Sequence, residues 1–285
     1  MKRDITGVPR PEDRYSPSRA PAYGRYKSKF PSFRKAQGEA RKRARLTRNV
    51  VHKGTDAFDD QKALALAERL LASANGDETD SLACPIYMGR QRFNIGGAFW
   101  KLGETGDPKT FTVIPRDWIY TPDELAKLDP KLLIRRFLAQ LERKGIRGKT
   151  GYLFAGLHGE YDLNTGLFHV HLHGFVDGEM VDVVRSLKKL PRYRFNRRRD
   201  IRSPIRIRWK SLTNLPHPLI YTIQDWWPAR YTFIRDGKPV RGRKRRIPEP
   251  YHTLLLLWLD QWSLSDVTLM VGMSVGKDGL VVKRV

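Results

Sequence analysis

Apolar residues recur along the chain with two spacings, and each spacing predicts one type of element. Residues 59–74 carry apolar side chains three and four positions apart, which predicts an amphipathic helix. Helical spacing also covers residues 121–144, with an interruption at Pro130, and it returns over residues 179–190. A turn is predicted at 162–166, where two strands would join as a hairpin. Runs rich in β-branched and aromatic residues, typical of strands, cover residues 110–115, 151–161, 167–176 and 205–209.

The order of these elements, β-α-β-β-α-β, predicts an α+β fold of the ferredoxin-like (split β-α-β) kind, with an antiparallel sheet backed by two helices. Residues 1–55 are rich in Arg, Lys, Pro and Ser without apolar periodicity, so they are predicted to form a mostly disordered basic arm. Residues 215–227 and 251–262 have the composition of further helices. We therefore predict three parts: the arm at 1–55, a main domain at 56–230, and a basic loop with a helical C-terminal extension at 231–285.

The charge of the chain indicates a polyanionic partner. Lysine and arginine number 54 against 30 aspartate and glutamate residues, for a net charge of +24. Each phosphate that such a surface neutralises releases a condensed counterion, so nucleic acid is the first expectation and an anionic membrane surface is the second. A protein that only neutralises charge, such as a ribosomal or packaging protein, has the same composition.

Cysteine and hydropathy patterns limit the compartment and the chemistry. Cys84 is the only cysteine, which excludes an intrachain disulfide framework and a thiolate zinc cluster. The first residues have no signal-peptide pattern, and the most apolar run, 254–259, is far too short to span a bilayer. We therefore expect a soluble cytoplasmic protein without a membrane partner.

The clearest chemical signal is a row of three histidines, His169, His171 and His173, at alternate positions of one predicted strand. Side chains alternate along a strand, so the three imidazoles face the same way, about 6.6–7 Å from one to the next. Val170 and Leu172 would pack on the other face. Adjacent members of the row can converge on one divalent metal ion, for which neutral imidazole is a good ligand. A row of exposed histidines on a wet sheet face is the alternative.

The partner strand of the predicted hairpin adds His158 and Glu160, which also share a face. Glu160 would add a carboxylate oxygen to two imidazole nitrogens, and such a mixed set with open positions suits Mn²⁺ or Mg²⁺. The alternative for Glu160 is a salt bridge with one of the many arginines. For His158 an ordinary hydrogen-bonded or exposed histidine is the favoured interpretation. A cupin also uses an H-x-H pair and a glutamate, but the spacing from the histidines to Glu179 does not fit it.

Taken together, TFTVIP at 110–115, a glutamate-bearing strand, FHVHLHGFV at 168–176 and a tyrosine beyond them resemble the HUH endonuclease superfamily. Within it the chain is most similar to plasmid rolling-circle replication initiators, over about residues 105–230. The resemblance implies site-specific nicking and joining of single-stranded DNA through a 5′-phosphotyrosyl intermediate. It also implies a divalent metal bound by His171 and His173, with His169 as the competing member of the pair and Glu160 in the acidic place.

Tyr221, within PLIYTIQ, is the nucleophile that the resemblance implies. The family pattern is commonly Y-x-x-K, and Gln224 stands here where the lysine would be, so either a nearby arginine substitutes or Tyr231 is the nucleophile. A core aromatic is the structural alternative for Tyr221. A related transposase, a relaxase using an early tyrosine such as Tyr15, or a catalytically inactive DNA-binding protein of the same fold are the rival functions.

A basic stretch at 185–210 is the predicted DNA contact. It holds twelve Lys and Arg residues and one acid, Asp200, with Tyr193, Phe195 and Trp209 between them. Basic residues follow a phosphate backbone and aromatic rings stack on unpaired bases, so the stretch suits a single strand or an origin hairpin, with a host helicase as a further partner. A duplex-binding or solvated loop is the alternative. The predicted contacts are Arg192, Arg194, Arg197, Arg198, Arg199, Arg202 and Lys210.

Overall fold

The fold is built on one main sheet. The computed structural model describes residues 32–193, 203–213, 215, 217–224, 226–236, 238–276 and 279–282. The helices are α1 Phe33–Lys53, α2 Asp60–Asn75, α3 Pro85–Thr105, α4 Pro122–Ala126, α5 Pro130–Arg143, α6 Met180–Ser186, α7 His217–Ile220 and α8 Tyr251–Asp260. The strands are β1 Lys109–Val113, β2 Ile119–Tyr120, β3 Leu153–Asp162, β4 Leu167–Val176, β5 Ile205–Arg208, β6 Ala229–Arg230, β7 Thr232–Arg235, β8 Lys238–Arg241, β9 Thr268–Val271, β10 Met273–Gly276 and β11 Gly279–Val282.

The main sheet has the strand order β5-β1-β4-β3-β6, with β2 paired to β4 and β9 paired to β3. Its pairs are antiparallel except that of β3 with β6. Two strands that both pair antiparallel with the same neighbour run parallel to each other. Therefore β1 and β3 are parallel with β4 between them, and β4 and β5 are parallel with β1 between them. The predicted α+β class with an antiparallel sheet is confirmed.

The β3–β4 hairpin at the centre of the sheet separates a polar face from an apolar one. Val170 and Leu172 of β4 are buried in the core, whereas His169, His171 and His173, which alternate with them, point to the opposite face. On β3, Gly159 lies on the apolar side, and a Cβ there would fall 2.1 Å from the Trp227 ring. The tryptophan therefore packs directly on the strand backbone.

The predicted disordered arm is wrong for Phe33–Lys53, which form the 21-residue helix α1. Ser32 caps this helix by accepting from the amide of Lys35, and the buried face carries mostly small residues, among them Ala36 and Ala40. Arg43 is also buried, where its guanidinium donates to the carbonyl of Ala83 at 2.8 Å. Alanines among many cations give a weak apolar signal in sequence, although α1 packs along α2. Residues 1–31 of the arm lie outside the described residues.

Helix α3 was not predicted, and it covers part of the histidine-bearing face of the sheet. Its Phe99 contacts the rings of Phe154 and Phe175 edge-on, with centroid separations of 4.8 and 4.6 Å. Further along the helix, Phe93 and Trp100 pack against Ile220 of α7. Helix α3 thus supports the segment that follows α7.

Two predictions for the C-terminal part are wrong. The helix expected at 215–227 is only four residues long, because the chain turns after α7 and Thr222 bonds back to the carbonyl of Leu219 through both its amide and its hydroxyl. Residues 231–285 are not an extension either, since β9 pairs with β3 inside the main sheet. Helix α8 is also buried, and its Trp258 lies 5.4 Å from the Trp227 ring. None of the helices in the described part of the chain combines the length and the hydropathy that a bilayer-spanning segment needs.

Candidate metal centre

Three histidines on neighbouring strands, His158 of β3 and His171 and His173 of β4, form a cluster that could hold a metal ion. Their ligand nitrogens all lie within 4.8 Å of one another. The Nε2 atoms of His171 and His173 are 3.1 Å apart. Ligand nitrogens arranged tetrahedrally around one zinc-like ion are about 3.3 Å apart, so this pair already has the spacing of two ligands.

The second ring nitrogen of each histidine is held by an oxygen of the protein. His158 Nε2 donates to the carbonyl of Thr222 at 3.0 Å, and His171 Nδ1 donates to the carbonyl of His169 at 3.2 Å. His173 Nδ1 lies 2.9 Å from the hydroxyl of Thr112. A carbonyl can only accept, so Nδ1 of His158 and Nε2 of His171 keep their lone pairs for a ligand. This arrangement is typical of metal-binding histidines, whose orientation is fixed by a partner on the other nitrogen.

Burial keeps the cluster neutral. It lowers the pKa of His158 to about 3 and that of His171 to about 4, and the repulsion between neighbouring histidines adds to the effect on His158. Burial also lowers the pKa of His173, well below its usual range. Metal ions bind the unprotonated ring, so at neutral pH no proton has to leave these side chains before a metal can bind.

Two predicted ligands, His169 and Glu160, stand outside this cluster. Glu160 forms ion pairs with Arg230 at 2.9 Å and with Arg241 at 3.1 Å, which is the salt-bridge alternative for this residue. His169 Nε2 lies 4.0 Å from a carboxylate oxygen of Asp162. The third member of the cluster is instead His158, for which the sequence favours an ordinary hydrogen-bonded role.

Tyr221 lies over the cluster, on the turn that follows α7. Its ring centroid is 5.0 Å from that of His173 and 5.8 Å from that of His158. The turn comes this close because Gly156 of β3 has no side chain: a Cβ there would lie 1.9 Å from the carbonyl oxygen of Thr222. Gly156 thus sets the distance between the sheet and the tyrosine segment.

A lysine from a distant segment reaches the tyrosine. The Nζ atom of Lys244 donates to the Tyr221 hydroxyl at 3.4 Å and lies 5.5 Å from the ring centroid. Gln224, where the family pattern has a lysine, lines the same cleft. Tyr231, the alternative nucleophile, is half-exposed, and Arg245 stacks on its ring at 5.7 Å.

Basic side chains surround the cluster and the tyrosine in one open cleft. Arg206 of β5 stands in a row across the sheet with Thr112, His173 and Gly156, each directly opposite the next. The other cleft cations are Arg230, Arg241 and Lys244. Such a cleft can accept a phosphodiester between the cations, with the phenol on one side and three neutral imidazoles below it.

Most of the predicted DNA contacts lie outside the described residues, although the rest of the stretch at 185–210 is described. Arg194, Arg197, Arg198, Arg199 and Arg202 belong to the part of the chain of which no structure is described. Of the described members, Arg192 is ion-paired with Asp117, and Lys210 is exposed.

Sequence reasoning missed Thr112 and Lys244 as members of the site, and it favoured an ordinary role for His158. The register of the β3–β4 hairpin places His158 directly opposite His171, and this could have been read from the turn at 162–166. No local pattern places Lys244 near Tyr221. Comparisons with protein-family models, with curated proteins and with solved structures found no match to this chain.

Proposed function

We propose that this chain is a metal-dependent enzyme that nicks and rejoins single-stranded DNA, with Tyr221 as the nucleophile. The observation that carries the proposal is the position of the Tyr221 ring, 5.0 Å from the His173 ring and with its hydroxyl 3.4 Å from Lys244. A phenol, a metal-capable cluster and a cation thus share one basic cleft. These are the groups that a phosphoryl transfer to tyrosine requires.

The strand order β5-β1-β4-β3 supports a ferredoxin-like assignment. In a split β-α-β unit the two parallel strands have another strand between them, as β1 and β3 have β4. The histidine pair then lies on a central strand and the tyrosine beyond the last strand of the unit, which is the arrangement that the resemblance to HUH endonucleases implies.

An all-imidazole donor set changes the expected metal. Mg²⁺ prefers oxygen ligands, and so to a lesser degree does Mn²⁺, whereas imidazole suits Zn²⁺ and other later transition-metal ions. Since Glu160 is already paired with two arginines, we propose Zn²⁺, or Mn²⁺ at lower affinity, at His158, His171 and His173 and not Mg²⁺. A divalent ion there would stabilise the negative charge that develops on the oxygens of the scissile phosphate.

The chain's own residues carry the transfer. The Tyr221 oxygen bonds to phosphorus as the bond from phosphorus to the 3′ oxygen breaks. The phenol proton passes to solvent, and the 3′ oxygen takes up a proton and leaves as the hydroxyl. Lys244 lies where it can stabilise the phenolate before attack. It would thus stand in for the lysine of the family pattern, whose position Gln224 occupies here. Because a phosphodiester is exchanged for another, the link can be reversed and the strand rejoined.

A covalent-adduct experiment tests the proposal. The protein is incubated with a pool of single-stranded oligonucleotides and Mn²⁺, and the adduct is located by peptide mass spectrometry. We expect a phosphotyrosyl link at Tyr221 that Tyr221→Phe abolishes and Tyr231→Phe keeps. The Phe variant retains the ring, so DNA and metal binding should be unchanged.

His171→Ala and His173→Ala should each remove the adduct as well. An adduct that persists in Tyr221→Phe and disappears in Tyr231→Phe would transfer the nucleophile to Tyr231. Absence of any adduct from the unmodified protein with Mn²⁺ or Zn²⁺ would refute the enzymatic function.

A further inference from the structure

The hairpin formed by β7 and β8 exposes aromatic side chains beside a basic segment. Tyr231 and Phe233 are each 47% exposed, although neither lies at a chain end. Gly242 lies between them, since a Cβ there would be 3.8 Å from both side chains. The two residues, two positions apart, therefore stand on the same side of the hairpin.

Basic side chains frame these two rings. Arg245 stacks on Tyr231 with its guanidinium carbon 5.7 Å from the ring centroid. Arg243 is exposed and, among the described residues, forms no ion pair with an acidic side chain. Tyr231, Phe233, Arg241, Arg243 and Arg245 line one shallow groove together with Asn164, Thr232 and Gly242.

The hairpin is tied to the catalytic cleft at its base. The amide of Thr232 donates to the side chain of Asn164, in the β3–β4 turn, at 2.8 Å. Ala229 and Arg245 exchange two backbone hydrogen bonds of 2.8 and 2.9 Å. Arg241 lines both the groove and the cleft, where it pairs with Glu160. The groove therefore opens beside the histidine cluster.

We propose that this hairpin is a stacking platform for single-stranded DNA, on which unpaired bases lie on Tyr231 and Phe233 while Arg243 and Arg245 contact the phosphates. Aromatic side chains beside basic ones are the chemistry that recognises unpaired bases, because each base offers a flat face and each linkage a charge. In a duplex the base faces are stacked on one another, so they are not available to the rings of Tyr231 and Phe233. This inference deepens the proposed function, because a single strand bound on the platform would continue into the histidine cleft. Only the direction in which the strand runs rests on the proposed function.

Binding of a fluorescent oligothymidylate of about twelve nucleotides, measured by anisotropy without metal, tests the platform. Phe233→Leu and Tyr231→Leu keep an apolar side chain but remove the stacking face, and each should weaken binding about five- to 150-fold. The dependence of log affinity on log salt should stay unchanged in both. Arg243→Gln should instead flatten this slope by about 0.7.

Ile234→Ala is the matched control. Ile234 is 70% exposed on the same strand, next to Phe233 and on the opposite side, and an aliphatic side chain does not stack. Its affinity for the oligothymidylate should equal that of the unmodified protein, and thermal unfolding should confirm that all variants fold. Unchanged affinity in both Leu variants, or equal affinity for a duplex of the same length, would overturn the platform. Since no metal and no cleavage are involved, these results are independent of the Tyr221 adduct.

Discussion

Replacement of Gly156 by alanine separates the sheet from the tyrosine segment, and it tests the geometry of the site directly. The added Cβ would lie 1.9 Å from the carbonyl oxygen of Thr222 and 3.2 Å from its carbonyl carbon. Real Cβ contacts do not fall below 3.0 Å, so the backbone at Thr222 must retreat by more than 1 Å. The atom in the way belongs to the main chain, and a side-chain rotation cannot relieve the contact.

The expected cost follows from this displacement. Overpacking of a filled interior destabilises by about 1–3 kcal/mol, which would lower the melting temperature by about 2–10 °C. The hydrogen bond from His158 to Thr222 is 3.0 Å long, so a further 1 Å breaks it and frees the imidazole to rotate. A misplacement of about 1 Å at a reacting group costs on the order of 100-fold in rate.

Three measurements decide the outcome: thermal unfolding, the affinity for Mn²⁺, and the rate of adduct formation at Tyr221. Gly38→Ala is the control, because Gly38 lies in α1 with nothing within 4 Å of the added Cβ, and it should stabilise the protein by about 1 kcal/mol. If Gly156→Ala unfolds at the same temperature as the unmodified protein and binds Mn²⁺ equally well, the close approach of Thr222 to β3 is refuted.

Three further predictions concern the cluster and its lysine. Mn²⁺ at about 100 times its dissociation constant should add about 2.7 kcal/mol to the free energy of unfolding, and a thermal shift that persists in His173→Ala would contradict the cluster. Lys244→Met should slow adduct formation about five- to tenfold, because unit charges 3.4 Å apart interact by about 1 kcal/mol in water-like surroundings; an unchanged rate would exclude Lys244 from catalysis. Burial lowers the pKa of His158 to about 3 and that of His171 to about 4, so below the unfolded pKa of 6.5 the unfolded state binds more protons. Stability of the metal-free protein should therefore fall as pH decreases from about 6.5 to about 4, and a double His158→Gln, His171→Gln variant should show a weaker dependence in urea titrations.

The pattern of apolar positions predicted the centre of the fold because strand and helix periods are local properties. The hairpin of β3 and β4 follows from the alternation on either side of the turn at 162–166, and the predicted helix at 59–74 corresponds to α2. The interruption at Pro130 is also present, where Asp129 caps the start of α5. The convergence of His171 with His173 needed only the same alternation.

Long-range pairing is what local patterns could not supply. Helix α1 buries alanines and Arg43, and neither carries a strong apolar signal, so its stability comes from partners such as Ala83 that are forty residues away. Lys244 reaches Tyr221 from 23 residues further along the chain. The sequence predicts Glu160 as a metal ligand because it shares a face of β3 with His158. The two arginines that pair with it instead come from β6 and β8, and local patterns do not place these strands beside it.

The charge of the cleft couples the two ligands that the proposed reaction needs. Arg206, Arg230, Arg241 and Lys244 line it with one carboxylate, Glu160, which leaves a formal charge of +3 around three neutral imidazoles. A divalent cation that binds without DNA adds to this positive charge. A phosphodiester that is already bound lowers the positive charge, and the metal then binds against less repulsion. Metal and DNA should therefore bind with positive cooperativity, and linkage requires each to raise the affinity of the other by the same factor. Calorimetric titration of Mn²⁺ with and without a saturating uncleaved oligonucleotide, using Tyr221→Phe to prevent adduct formation, measures that factor. The metal should bind more tightly in the complex, and more so at low salt, where the cations are least screened; equal or weaker Mn²⁺ binding in the complex would mean that the phosphate does not enter the histidine cleft.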